Sequence, residues 1–324
     1  MLKPKVVVTF RFGEDVFESL NDIAQVRFCS SSNREEFLKE IADAEALVIA
    51  VEKIDEEFLK HTPKLKIVAR CGVGYDSVNV ADCTKRKIYV TYTPGILSNA
   101  VAELTMGLML SLSRKVLEAD RYTRTEWTKD APFPFSIDLE GKTLGIIGLG
   151  RIGQAVARRA KAFDMKIVYH DAIRQKDAED ALGASFMELD DLLRTSDFIS
   201  IHTPLTSSTR GFIGARELRL MKKNAYLINT SRGPVVDEVA LCRALEEGWI
   251  AGAGLDVFAK EPLPLDSPLT KLRNVVLTPH IGTATLETRR KMVQMDVENI
   301  RKVLLGELPL NLVPEQKGKV FVKP

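Results

Sequence analysis

This sequence of 324 residues lacks the marks of several protein classes. Its four cysteines share no C-x-x-C spacing, so they give no sign of a disulfide scaffold or a metal site. No apolar run approaches the roughly 18 residues that cross a bilayer, and the opening MLKPKVVVTF has no apolar core of a signal peptide. We therefore expect a cytoplasmic protein with free thiols, no metal and no membrane segment.

An excess of charge of either sign is missing too. Lys plus Arg (46) nearly balances Asp plus Glu (44), so no general positive field attracts nucleic acid or anionic lipid. We find no internal repeat and no low-complexity segment, so no disordered arm is expected. What remains is the composition of a globular protein, and its length predicts two domains, because single cores seldom grow beyond about 250 to 300 residues.

Short β-branched runs alternate with longer helical patterns, which is typical of βαβ units and parallel sheets. The first series of strand-like runs covers 5–10, 46–50, 66–69 and 88–91. A second series of six covers 143–147, 166–169, 198–202, 226–229, 252–255 and 275–278. A buried helix over 98–114 joins the two series, and a helix over 285–305 is predicted to pack on the first. The fold class is α/β, with two doubly wound Rossmann-like lobes.

A G-x-G-x-x-G motif formed by Gly148, Gly150 and Gly153 directly follows the first strand of the second series and precedes a helix. In this context Gly148 permits a tight turn, Gly150 lets the backbone approach a pyrophosphate, and Gly153 lets helix and strand pack closely. The next strand ends at Asp171, whose carboxylate can accept both ribose hydroxyls of NAD and repel the phosphate of NADP. NAD is therefore favoured. NADP stays possible, because Arg174 and Lys176 are close enough in sequence to neutralise that phosphate.

Three loops after predicted strands carry the groups that carbonyl reduction needs: a cation for a carboxylate, an acid for the oxygen, and a group that holds the acid. Arg232 lies in the first loop, and its planar guanidinium matches a carboxylate. Glu261 lies in the second loop and His280 in the third. Each residue taken singly has an ordinary structural explanation. Their order behind a nucleotide motif favours a catalytic set.

These segments resemble those of the D-isomer-specific 2-hydroxyacid dehydrogenases, and the likeness covers nearly the whole chain. The matching motifs are GVGYD at 72–76, AVAELT at 100–105, the glycine motif at 145–153, HTPL at 202–205, TSRG at 230–233, the segment 256–262 and the segment 279–285. Within the family, HIGTAT at 280–285 looks most similar to glyoxylate and hydroxypyruvate reductases.

The resemblance implies a role for each matching residue. His280 would be the acid toward the carbonyl, Glu261 would fix its ring, and Arg232 would polarise the carbonyl and clamp the carboxylate. The N–H groups of Val73 and Gly74 would grip that carboxylate in the cleft between the lobes. The implied cofactor-binding residues, besides the three glycines and Asp171, are Arg151, Ile152, Thr203, Pro204, Thr230, Arg232, Asp256, His280 and Gly282.

The resulting prediction is a substrate-binding domain of residues 1–97 with 287–324, and a dinucleotide-binding domain of residues 98–286. The predicted activity is transfer of a hydride between NAD(P)H and a small 2-oxo acid or D-2-hydroxy acid, most favourably glyoxylate or hydroxypyruvate. Two alternatives stay open: reduction of 2-imino acids by the same site, and an NAD(H)-sensing binding protein of the same fold. The resemblance also implies a homodimer, with Trp127 in a loop that either shapes a neighbouring active site or packs at the interface.

Overall fold

The structure, a computed structural model of the chain, describes residues 3–128 and 132–321. Two compact units are present, one formed by residues 1–97 with 284–324 and the other by residues 98–283. The larger unit ends at residue 283, whereas the sequence prediction placed its end at residue 286. Thr285 caps the helix that begins at Leu286. Within the described ranges, no helix combines the length and the apolar character that crossing a bilayer requires.

The first part of the smaller unit is a five-stranded parallel sheet in the order β2-β1-β3-β4-β5. Its strands are β1 Lys5–Val8, β2 Gln25–Phe28, β3 Ala46–Ile49, β4 Ile67–Arg70 and β5 Tyr89–Thr91. Its helices are α1 Glu14–Phe17, α2 Arg34–Ile41, α3 Glu56–Leu59 and α4 Val80–Lys85. The prediction of four strands in this sheet was wrong, because it omitted the fifth strand, β2. That edge strand carries alternating polar residues and has no buried position, so its sequence gives no apolar run.

The larger unit begins with two helices, α5 Ser98–Ser113 and α6 Val116–Thr125, and continues as alternating strands and helices. The strands are β6 Thr143–Ile147, β7 Lys166–His170, β8 Ser185–Phe186, β9 Phe198–Ile201, β10 Tyr226–Asn229, β11 Gly252–Leu255 and β12 Val275–Leu277. The helices between them are α7 Arg151–Lys161, α8 Lys176–Leu182, α9 Leu189–Thr195, α10 Ala215–Leu220 and α11 Glu238–Glu246.

These strands form one parallel sheet in the order β12-β11-β10-β9-β6-β7-β8. The prediction of six strands was wrong, because the two-residue edge strand β8 is too short to show as a pattern. Apolar side chains cover both faces: Ile146 and Ile147, neighbours on β6, belong to different core clusters. The predicted α/β class with two parallel-sheet lobes is confirmed.

The last helix, α12 Leu286–Leu304, belongs to the smaller unit, where it packs against β4 and α1. Its buried stripe includes Met292, Val293 and Ile300. Two ion pairs, Arg290 with Asp15 and Arg301 with Asp22, link its outer surface to the segments after β1.

Candidate active site

The glycine motif occupies the tight connection between β6 and α7. Gly148 has φ +93°, and a side chain there would lie 2.9 Å from the backbone of His202. A side chain on Gly153 would overlap the carbonyl oxygen of Gly148, whereas a side chain on Gly150 would extend into open space. The loop after β6 therefore lies against the loop after the neighbouring strand β9, at the point where the strand order reverses, which is where dinucleotides bind in such sheets.

The N-terminus of α7 is suited to an anion. Its first turn carries no acidic residue. The N–H groups of residues 150–153 donate to no acceptor in the described parts of the chain, although the next one, of Gln154, donates to Gly150 O at 2.9 Å. Unsatisfied N–H groups and the helix dipole together favour a phosphate at this position. The geometry fits the pyrophosphate of a dinucleotide.

Asp171 follows β7 and is held beside the same loop. Its Oδ2 accepts a hydrogen bond of 2.8 Å from the N–H of Leu149. Arg174, considered above as a partner for a 2′-phosphate, is instead bound through two nitrogens to the carboxylate of Glu179, at 2.7 and 2.9 Å. That carboxylate has its pKa lowered to about 2, first by the hydrogen bond from Arg174 and then by that from Tyr169.

Two further loops follow β9 and β10. Thr230 is buried, with its hydroxyl 3.0 Å from that of Thr105 on α5, a contact that the sequence analysis missed. Thr203 Oγ1 and His202 Nδ1 are buried without a hydrogen-bond partner in the described residues. Burial lowers the pKa of His202 to about 3, so its ring is neutral. Polar atoms of this kind at the switch point fit a bound ribose. Pro204 lies in the same segment, where its carbonyl accepts from Thr209.

His280 and Glu261 form a hydrogen-bonded pair in the larger unit. Nδ1 of His280 lies 2.7 Å from Oε2 of Glu261, and Oε1 accepts a bond of 3.0 Å from the N–H of Phe258. Burial alone would raise the pKa of Glu261. The hydrogen bond and charge of His280 outweigh burial and lower it, with smaller help from the Phe258 N–H and Arg232. The carboxylate therefore fixes the ring, leaving Nε2 for a substrate.

Asp256 organises the loop that carries His280. Its carboxylate accepts from Thr278 Oγ1 at 2.6 Å and from the N–H groups of Ile281 and Gly282, each at 2.8 Å. Its carbonyl accepts from the N–H of His280 at 2.9 Å. Burial raises the pKa of Asp256, although these donors partly offset the effect. Asp256 was predicted only as a cofactor-binding residue, and Thr278 had no predicted role. The structure adds a clear role for both in holding the histidine loop.

Arg232 lies in the loop after β10, with Nη1 2.8 Å from the carbonyl oxygen of Ser231. The loop is closed by Asn229, whose amide donates to Arg232 O at 3.0 Å and whose Oδ1 accepts from Ser231. A side chain on Gly233 would overlap the carbonyl group of Phe258. This close approach, which the sequence analysis missed, brings the Arg232 loop against the loop that ends at Glu261. The structure thus joins all three predicted catalytic residues within one unit.

Val73 and Gly74, the residues predicted to grip a carboxylate, belong to the smaller unit and follow β4. Neither of their N–H groups donates a hydrogen bond to another described residue. The preceding Arg70 is folded over the turn, with Nη1 2.5 Å from the carbonyl oxygen of Cys71. Cys71 is a buried free thiol. Two adjacent free N–H groups suit an anionic oxygen.

Comparison with known proteins gives a consistent result. A family model described as D-isomer specific 2-hydroxyacid dehydrogenase, NAD binding domain, matches residues 106–282. The glyoxylate reductase of Thermococcus litoralis is 47% identical over 322 residues, which are 96% of this chain and 97% of that protein. The solved NADPH-dependent glyoxylate/hydroxypyruvate reductase of Sinorhizobium meliloti, in complex with NADP and malonate, has a TM-score of 0.88 and 33% identity, covering 99% of both chains. An acyclic imino acid reductase solved with NADPH and D-Arg has a TM-score of 0.86 and 30% identity, covering 95% of this chain and 99% of that one.

Proposed function

Since the chain belongs to the D-isomer specific 2-hydroxyacid dehydrogenases, we propose that it reduces glyoxylate or hydroxypyruvate to the corresponding 2-hydroxy acid with a nicotinamide cofactor. The observation that carries this proposal is the contact of 2.7 Å between His280 and Glu261 in the unit that also holds Arg232 and the nucleotide loop. The curated relatives named glyoxylate reductase support the substrate.

The reduced nicotinamide supplies a hydride to the carbonyl carbon when it is bound. Nε2 of His280 donates a proton to the carbonyl oxygen, and the Glu261 carboxylate stabilises the ring while it is charged. The guanidinium of Arg232 draws electron density from the carbonyl and binds the substrate carboxylate. We assign the N–H groups of Val73 and Gly74 to the same carboxylate.

We further propose that residues 148–153 and the loops at Thr203, Thr230 and Gly282 hold the cofactor, with NAD preferred over NADP. The preference is supported by Asp171, because the hydrogen bond from the N–H of Leu149 keeps its carboxylate at the nucleotide loop. It is also supported by Arg174, whose guanidinium is occupied by Glu179. A negative charge whose neighbouring Arg174 is already paired with Glu179 disfavours a 2′-phosphate.

We propose that the active form is a cytoplasmic homodimer. The helix α6 has no buried residue, and its apolar Val116 and Leu117 are exposed. Trp127 and Phe135, which follow in the same stretch, are exposed as well. Four large apolar side chains within 20 residues, all outside the core, favour burial against a second copy of the chain.

Steady-state measurement of NADH oxidation with glyoxylate and with hydroxypyruvate tests the activity. We expect turnover with both, and a loss of kcat/KM of at least roughly a hundredfold in His280→Ala and in Arg232→Ala. Wild-type protein that binds NADH but reduces no 2-oxo acid of a panel would instead indicate the cofactor-sensing protein. Because one structural relative is an acyclic imino acid reductase, the same panel is also measured with ammonium or methylamine. Amine-dependent turnover would identify an imino acid as the substrate.

A further inference from the structure

Arg289 lies in the first turns of α12, over an aromatic surface. Its guanidinium carbon is 4.6 Å from the centre of the Phe12 ring. Phe12 in turn stacks on Phe10, with ring centres 4.0 Å apart and planes 7° from parallel. Both phenylalanines follow β1 at the carboxyl edge of the smaller sheet. A cation–π contact uses the charge of the guanidinium and leaves its N–H groups available for a planar acceptor.

Among the described residues, no acid is paired with Arg289. Two other arginines of α12 are paired, Arg290 with Asp15 and Arg301 with Asp22. Arg289 forms no ion pair and no side-chain hydrogen bond with any residue in 3–128 or 132–321. It is also partly buried, and burial lowers its pKa. Partly buried cations are ordinarily paired, so this one points to an anionic ligand.

Arg289 and the proposed carboxylate grip belong to the same unit, and α12, which carries Arg289, packs against β4, the strand that precedes the grip. The charge of Arg289 acts on the thiol of Cys71, the residue that follows β4 and leads into Val73 and Gly74. Phe12 follows β1, and the carboxyl ends of parallel strands meet at one edge of a sheet. The unpaired guanidinium and the two free N–H groups therefore belong to the same edge of the same unit.

We propose that Arg289, supported by Phe12, binds a second carboxylate at the far end of a 2-oxo acid whose first carboxylate is held by Val73 and Gly74. The inference rests on the proposed function and narrows it to acids that carry a carboxylate at both ends. Glyoxylate is then a minimal substrate that leaves Arg289 unused. The planar N–H edge of the guanidinium matches a carboxylate through two hydrogen bonds, which an uncharged substrate end does not offer.

Pairs of substrates of equal chain length test this directly. Oxaloacetate differs from 2-oxobutyrate, and 2-oxoglutarate from 2-oxovalerate, by a carboxylate in place of a methyl group. We expect the wild type to prefer at least one dicarboxylate to its partner by roughly tenfold or more in kcat/KM. In Arg289→Gln, that preference should fall by roughly 10- to 100-fold, the usual effect of losing a charge-assisted pair.

Arg290→Gln is the matched control, because it removes the adjacent, exposed and paired arginine, and it should keep the preference. Arg289→Lys retains the charge without the planar pair of N–H donors and should lose only part of the dicarboxylate preference. It keeps the inference testable if Arg289→Gln does not fold. The inference is overturned if the wild type has no dicarboxylate preference, or if Arg289→Gln lowers all substrates, glyoxylate included, by the same factor. Failure of the wild type on glyoxylate, hydroxypyruvate and all four longer acids would instead refute the proposed function.

Discussion

Asp296 is a buried carboxyl group with little to stabilise its charge. It lies on α12 and is completely buried, and neither carboxylate oxygen has a hydrogen bond of good geometry among the described residues. Burial raises its pKa to about 7, and the neighbouring Cys71 thiol and Arg70 cation offset only part of that effect. The substitution Asp296→Asn removes the charge and keeps the shape, so it isolates the cost of ionisation.

The cost follows from the two pKa values. An ordinary carboxyl with a pKa of 3.8 that is raised to about 7 in the folded protein corresponds to roughly 4 kcal/mol, at about 1.4 kcal/mol for each tenfold change in proton affinity. Because the folded pKa is the higher one, the contribution of Asp296 to the free energy of unfolding is fully present below pH 3.8. It is lost as the pH rises from 3.8 to about 7, and above that pH the free energy of unfolding no longer changes with this group. Between pH 5 and pH 8 the loss amounts to roughly 2 to 3 kcal/mol.

Urea and thermal unfolding at pH 5 and pH 8 measure this loss. We expect Asp296→Asn to be more stable than the wild type at pH 8 by roughly 2 to 4 kcal/mol, with a much smaller difference at pH 5. Glu298→Gln, the same change of charge on the exposed side of the helix, is the control and should show no such pH dependence. Equal stability of Asp296→Asn and wild type at pH 8, or a destabilisation of equal size at both pH values, would refute the reasoning.

Four shorter predictions concern the site and the assembly. Glu261→Gln should lower kcat/KM by roughly tenfold or more, because the ring of the histidine loses its charged partner; unchanged kinetics would contradict this. Asp171→Ala should shift the ratio of kcat/KM values toward NADPH, and a wild type that already prefers NADPH would show that this carboxylate was misread. Gly233→Ala should destabilise the protein by about 1–3 kcal/mol and reduce activity through overlap with the next loop, whereas Gly107→Ala, in an open helical position, should be neutral or stabilising by up to about 1 kcal/mol. Leu117→Asp should yield monomers in light scattering, and a dimer of undiminished stability would place the interface elsewhere.

The strands that were predicted correctly are buried on both faces of their sheet. Their sequences are therefore continuous apolar runs, which are easy to recognise. The central strand β6, with its apolar Leu144, Ile146 and Ile147, is such a case. The two strands that were missed, β2 and β8, are both edge strands, where one side meets solvent. Polar residues such as Gln25 and Arg27 are tolerated there, so no periodic pattern identifies the strand.

The candidate site divides in a similar way. Arg232, Glu261 and His280 were predicted as catalytic because carbonyl reduction requires side chains of those kinds, and each stands in a segment that matches the family. Thr278 and Gly233 were missed because their contribution is a backbone approach or a hydrogen bond to a group that is distant in sequence. Nothing in the local pattern around Gly233 indicates that the carbonyl of Phe258, 25 residues later, fills the space beside it.

The backbone of His280 shows why those supporting contacts matter. Its φ is +53°, a conformation that costs a residue with a side chain of the order of 1 kcal/mol and persists only where the surroundings impose it. Asp256 imposes it, because its carbonyl binds the N–H of His280 and its carboxylate binds the next two N–H groups. Glu261 then needs only to fix the ring. The strained loop and its buried carboxylate therefore hold the proposed acid, His280, in place before any substrate arrives, so that binding energy is not spent on orienting it.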